Sequence, residues 1–244
     1  MDNLIITKEN NHVLTISLNR INKKNALNKS MYLDLCGAFK QANENPNVHC
    51  VLIQGDENCF CAGNDLDDFL QCEQSDDLAA FDFVQVLTTF TKPLVAAVAG
   101  PAIGIGTTLL LHCDMVIAAD NSKFKLPFTQ LGLSPEAGSS LLLPLRIGHN
   151  KAFELLVLGK LFKANEALDY GIVNQVCSPK NLLETAKEIA DTIAKLPHDS
   201  VMSSKKLMKQ HSQSIMPQVI ANEAQEFKRL VKTDECRSIL AKFF

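Results

Sequence analysis

The sequence has no excess of positive charge. Among its 244 residues, 24 Lys and Arg stand against 27 Asp and Glu, for a formal net charge of -3. That balance offers no general attraction to polyanions, so neither nucleic acid nor a membrane is the expected partner, and any phosphate-bearing ligand must be held by local cations. The chain also lacks an uninterrupted apolar run of the roughly eighteen residues that a membrane span needs. Its start, MDNLIITKENNHVLTISLNR, lacks the basic and apolar regions of a secretory leader, and LAKFF at its end matches no C-terminal address tag, so a cytoplasmic location is expected. Eight cysteines are present, but Cys59 and Cys61 form an isolated C-x-C with no second pair or nearby His cluster. Reduced, mostly buried thiols and no metal site are expected. No Pro/Ser-rich linker divides the chain, and 46% hydrophobic residues against 21% charged suffice for one core, so residues 1–244 are expected to form a single domain.

Alternation is what the sequence does have. VLTISLN sets Leu14, Ile16 and Leu18 against Val13, Thr15 and Ser17, the period of a half-buried strand, and LIITKE before it can pair with it as a hairpin. Met31, Leu35 and Ala38 fall at helical spacing over residues 31 to 42, and VHCVLIQG reads as a buried strand. LVAAVAG runs into a turn at Gly100, residues 104 to 111 read as helix, and CDMVIAAD as another strand. Strands and helices interleave without an exact repeat. From about Lys151 helix dominates: KAFELLVLG, then KANEALDYG closed by Gly171, the short strand IVNQVC, and three more helices over residues 181 to 243. Lys205, Lys206 and Lys209 on one of these predict a solvated basic face.

Two loops follow strands and combine glycine with small residues: FCAGNDL, Phe60 to Leu66, and GPAIGIG, Gly100 to Gly106. The second opens a helix, where unpaired N–H groups and the dipole favour developing negative charge. It has neither the G-x-G-x-x-G spacing of a dinucleotide fingerprint nor the Gly-Lys-Ser/Thr of a P-loop. A third segment, GLSPEAGSSLL, carries one acid, Glu136, among apolar and small residues. Local rules give that acid a structural role, with Ser134 as helix N-cap, Pro135 at the first helical position and Glu136 in the first turn. The other reading is a positioned proton acceptor. His112 and Asp114, in LLHCDM, read as core packing and a cap.

Together these segments resemble the enoyl-CoA hydratase/isomerase (crotonase) superfamily over nearly the whole chain. NRINKKNALNKSMY resembles its first CoA-contacting segment, FCAGNDL its first oxyanion loop, TKPLVAAVAGPAIGIG its second, and LPFTQLGLSPEAGSS its catalytic segment. The Asn after Ala-Gly, the KKNA segment and the placement of Glu136 most resemble the Δ3,Δ2-enoyl-CoA isomerase branch. The resemblance implies an α/β fold: a crotonase-like spiral of repeated strand-strand-helix units over residues 1–195, then a helical C-terminal oligomerisation region, 196–244. It implies a homotrimer or dimer of trimers. It also implies that the backbone N–H groups of Asn64 and Ile105 hold the thioester oxygen of an acyl-CoA, with CoA part of the substrate and no separate cofactor. Arg20, Lys23 and Lys24 would then approach the CoA phosphates, while Ala26, Ala62, Gly63, Asp65, Leu66, Gly104, Leu126 and Phe128 complete the substrate contacts.

Hydratases of the family use two glutamates to activate and deliver water, and the positions that match them here are Thr108 and Phe128. Neither side chain can act as a carboxylate base. Glu136 matches the base of the isomerase branch, which implies a shift of 3-enoyl-CoA to 2-enoyl-CoA by a single-base 1,3-proton transfer. Burial would raise its pKa while a helix start would lower it. Asp65 is a second acid near the hole, with a supporting role. The residues leave open another acyl-CoA enzyme on the same frame (hydratase, dienoyl or ring-opening isomerase, thioesterase) and a non-catalytic CoA-binding oligomer.

Overall fold

In the computed structural model, which describes residues 3–67 and 79–243, strand β1 (Ile5–Asn10) pairs antiparallel with β2 (Val13–Leu18). The hairpin turns on Asn11 and His12, both left-handed (φ 50° and 63°), as a two-residue turn matched to strand twist requires. β2 then pairs parallel with β3 (Cys50–Gln54), β3 with β4 (Leu94–Val98), β4 with β6 (Met115–Ala119) and β6 with β9 (Gln175–Cys177). The result is a six-stranded sheet of order β1-β2-β3-β4-β6-β9. Parallel neighbours need crossovers, and the helices Lys29–Glu44 and Ala79–Thr89 lie within the first two. A second sheet joins β5 (Pro101–Ile103), β7 (Lys123–Lys125) and β8 (Phe162–Lys163).

Alternation along the strands feeds two cores. Ile16, Val51, Ile53, Ala96 and Val98 face the larger one, with Phe39, Phe60, Phe83, Phe124 and Phe162. Val13, Cys50, Leu52, Val95, Ala97 and Ile117 face the helix Leu182–Lys195, whose buried Leu182, Ala186, Ala190 and Ala194 recur every fourth residue and let it lie close to the sheet. Cys36, Cys50, Cys59, Cys61, Cys113 and Cys177 are free thiols.

The helical C-terminal region contains the 34-residue helix His198–Val231 and the shorter Asp234–Leu240. The long helix buries Met216, Ile220, Glu223, Phe227 and Val231, a single stripe at helical spacing. The solvated face expected of Lys205, Lys206 and Lys209 is divided. Lys205 is 5% exposed and donates to the Lys92 carbonyl and the Asp114 carboxylate, each at 2.6 Å, and Lys209 donates to the His112 carbonyl at 2.9 Å. Buried acceptors thus claim two of the three lysines, and only Lys206 is exposed. No described helix is long and apolar enough to cross a membrane.

Candidate active site

The loop Phe60 to Leu66 is tied down on both sides. On one side the Leu27 N–H donates to the Gly63 carbonyl (2.8 Å) and the Asp65 N–H to the Leu27 carbonyl (2.9 Å). On the other, Cys61 pairs with the edge of β5, its N–H donating to Pro101 (3.1 Å) and its carbonyl accepting from Ile103 (2.9 Å). This pairing passes over the Asn64 N–H, which has no acceptor among the described residues. After β5, Gly104 (φ 54°, ψ -120°) turns the chain into the short helix Ile105–Thr108, and the Ile105 N–H is also without an acceptor there. Glycine lets the two loops touch. A Cβ on Gly106 would stand 2.5 Å from the Cys61 carbonyl oxygen, and one on Gly63 (φ 103°) 3.1 Å from that of Ile103. Two unpaired amides therefore lie on loops pressed together.

Glu136 is not in a helix. The helix that local rules begin at Ser134 starts instead at Ser139, with Gly138 as N-cap, and the Ser134 hydroxyl is buried without a hydrogen-bond partner among the described residues. Ala137 (φ 57°) and Gly138 (φ 71°) are both left-handed, and the Ser139 N–H and hydroxyl turn back onto the Glu136 carbonyl at 3.1 and 2.6 Å. The cap comes from far along the chain. Glu223 accepts from the Gly138 N–H (2.7 Å), the Ser140 N–H (2.9 Å) and the Ser140 hydroxyl (2.5 Å). That distant carboxylate overrides the local cap.

The Glu136 carboxyl is 8% exposed and accepts from the Thr108 hydroxyl at 2.6 Å. Thr108 lies three residues beyond Ile105 on the same short helix, so the carboxyl is anchored to the element that begins at the Ile105 amide. Burial pushes this carboxyl up to about 8; the Thr108 bond opposes that rise and the charge of Glu223 adds to it. The Tyr32 hydroxyl donates to the Asn64 side-chain oxygen and so fixes that residue. Its phenol is raised well above the usual range, by burial first and then by its proximity to the Glu136 carboxyl. His112 bonds through Nε2 to the Ala137 carbonyl at 2.7 Å, and burial lowers it to about 4, so the ring is a neutral brace.

A cavity of about 530 Å³ lies beside the two loops. Lys23, Ala26, Ala62, Gly63, Asn64, Asp65, Leu66, Gly104 and Phe128, all expected at the substrate, line it. Leu126 does not: alternation along β7 and beyond turns Phe124 and Leu126 into the core and presents Lys125 to the cavity instead. Arg20 is also placed differently from expectation. Its guanidinium donates to the Ala26 carbonyl (2.9 Å) and pairs with Asp65, so it braces the loop and engages the rival acid. Lys23 pairs loosely with Asp67 at 3.6 Å. Lys24 is exposed outside the lining, and its carbonyl accepts from the Ala62 N–H at 3.0 Å. Ile105 and Glu136 are outside the lining as well, with the Ile105 side chain packed in the main core. Lys125, Phe227, Tyr32 and Glu223 are among the site residues that sequence reasoning missed. For Glu223 and Phe227 the one available signal was their common face, four positions apart on one helix.

Residues 8–244 match the enoyl-CoA hydratase/isomerase family. The chain belongs to that family. It is 36% identical over 248 residues to enoyl-CoA delta isomerase 2 of Rattus norvegicus, covering 98% of this chain and 63% of the rat protein's length. It is 30% identical over 249 residues to 2,3-dehydroadipyl-CoA hydratase of Escherichia coli K12, covering 100% and 96% of the two chains. The solved structure of Pseudomonas aeruginosa OdaA superposes with a TM-score of 0.96 at 41% identity, over 100% of this chain and 99% of that one. The fold is thus the α/β crotonase type with a helical C-terminal region, and the protein is an enzyme of the enoyl-CoA hydratase/isomerase family, which acts on acyl-CoA.

Proposed function

We propose that the enzyme moves the double bond of a 3-enoyl-CoA to the 2 position. The observation that carries this reading is Glu136, a buried carboxyl bound to Thr108 with no cationic partner among the described residues, whereas Asp65 is held by Arg20, Asp67 lies beside Lys23, and Glu223 is taken up by the Gly138 and Ser140 donors. The thioester oxygen sits against the N–H groups of Asn64 and Ile105. Glu136 takes the C2 proton, and the electron pair delocalises onto that oxygen. The dienolate then takes the same proton back from Glu136 at C4, leaving the double bond between C2 and C3. Each preorganised donor stabilises the oxyanion by about 3 kcal/mol. Thr108, where a second carboxylate would be needed to deliver water, is instead spent on orienting Glu136. Phe128, at the other such position, leaves an apolar wall.

The test is an assay of the purified protein on 3-enoyl-CoA and 2-enoyl-CoA side by side. Conjugation of the 3-enoyl thioester is expected, with kcat/KM rising as pH increases through about 8, because the ionised form of Glu136 is the base. Formation of 3-hydroxyacyl-CoA from the 2-enoyl thioester with no conjugation of the 3-enoyl one would overturn the proposal in favour of hydration.

A further inference from the structure

The helix His198–Val231 reaches the site at two points on one face. Phe227 lines the cavity, and four residues earlier Glu223, 8% exposed, grips the turn that follows Glu136. Both carboxylate oxygens of Glu223 act only as acceptors, Oε2 from the Gly138 N–H and Oε1 from the Ser140 N–H and hydroxyl, at the first turn of a helix. That is the arrangement an ionised carboxylate satisfies. The helix is pressed close: a Cβ on Gly138 would meet the Met216 sulfur at 2.7 Å.

We propose that Glu223 is a positioning residue for Glu136, fixing the left-handed turn at Ala137 and Gly138 from which that carboxyl projects and bringing its own carboxylate to bear on it. The proposal rests on the reading of Glu136 as the base. Among the described residues its other titratable neighbours are neutral. Burial pushes the Tyr32 phenol and the Cys61 thiol up and holds His112 down at about 4, and Thr108 carries no charge. Glu223 is therefore the charge Glu136 feels, and it acts with burial to make the carboxylate hold a proton more tightly. A more basic carboxylate draws more strongly on a weakly acidic C–H once it is ionised.

Two variants and two readouts test this. Glu223→Gln removes the charge and keeps one oxygen for the turn; Ser140→Ala keeps the charge and both backbone donors but drops the hydroxyl bond. One readout is the pH dependence of kcat/KM on a 3-enoyl-CoA. The other is an infrared titration of the Glu136 carboxyl, identified as the band absent from Glu136→Gln, which requires no turnover. In Glu223→Gln the midpoint of Glu136 is expected to fall by about half a pH unit or more, and kcat by about tenfold, more than KM changes. Ser140→Ala is expected to leave the midpoint in place. An unmoved midpoint in folded Glu223→Gln overturns the proposal, as does an equal shift in Ser140→Ala. Should Glu223→Gln not fold, Glu223→Asp withdraws the same charge by one methylene; a smaller fall of the midpoint supports the proposal and no fall overturns it. Absence of isomerase activity in the unaltered enzyme removes the reading of Glu136 as base, while the infrared midpoint still decides whether Glu223 governs it.

Discussion

At the scale of single residues, Glu136 ties stability and chemistry to the same proton. Its carboxyl rises from 4.5 to about 8 on folding, so the folded chain binds that proton more tightly than the unfolded chain. The stability it contributes is therefore complete below about pH 4.5 and is lost as pH rises through about 8. Glu136→Gln removes that loss: urea unfolding above pH 8 is expected to show the variant more stable than the wild type, by on the order of a few kcal/mol, since each unit of displacement is worth about 1.4 kcal/mol. Turnover on a 3-enoyl-CoA is expected to drop about 100-fold or more with acyl-CoA binding retained. A variant that kept its turnover and lost stability at every pH would make Glu136 structural. Thr108→Val preserves shape but deletes the bond that lowers this carboxyl, so the acid limb of the kcat/KM profile should move upward by about one pH unit; a downward shift or none would remove Thr108 from the site.

Elements set where the amides and cations lie. Gly106 holds the short helix Ile105–Thr108 against the first loop, and an added methyl would meet the Cys61 carbonyl oxygen at 2.5 Å. Backbone cannot yield as a flexible side chain does, so Gly106→Ala should part the two loops and lower kcat by about tenfold or more at a stability cost of about 1–3 kcal/mol. Normal kcat in this variant would count against the Ile105 amide as an oxyanion donor. The cations belong to neighbouring loops and strands, with Lys23 and Lys125 at the cavity and Lys24 just outside it. Replacing Lys23 and Lys24 by Ala is expected to raise KM for acyl-CoA several-fold while kcat changes less, because binding common to substrate and transition state is what is lost. Equal losses with a pantetheine thioester, which has no CoA phosphates, would show that these lysines do not contact phosphate.

At the scale of the molecule, many large apolar side chains remain uncovered in a single chain. Leu145 (63%), Phe153 (50%), Leu158 (62%) and Leu161 (44%) are exposed between the Ser139–Ile147 helix and β8, as are Leu207 (70%) and Met208 (78%) on the long helix. Such exposure favours association. We propose a trimer or a dimer of trimers; sedimentation at micromolar concentration should give a mass of three or six chains, and a strictly monomeric boundary would refute it. The C-terminal region serves its own chain, because its buried stripe from Met216 to Val231 packs against that chain and brings Glu223 and Phe227 to the site.

The sequence by itself determined what depends on short-range periodicity and backbone chemistry. The opening hairpin, the buried strands Cys50–Gln54 and Leu94–Val98, the helical C-terminal region and the two glycine loops were all legible, because alternation and glycine act within a few residues. Only the tertiary structure decided which polar groups meet. Ser134, Pro135 and Glu136 satisfy every local rule for a helix start, yet the helix begins at Ser139, since a carboxylate from Glu223 caps it and two left-handed residues intervene. Arg20 reads as a free cation until Asp65 lies beside it, and Lys205 as a solvated one until Asp114 does. Lys125, and not the expected Leu126, lines the cavity because one residue of strand register selects the face. Burial of a carboxyl and its partners are properties of positions distant in the chain, and no local pattern encodes them.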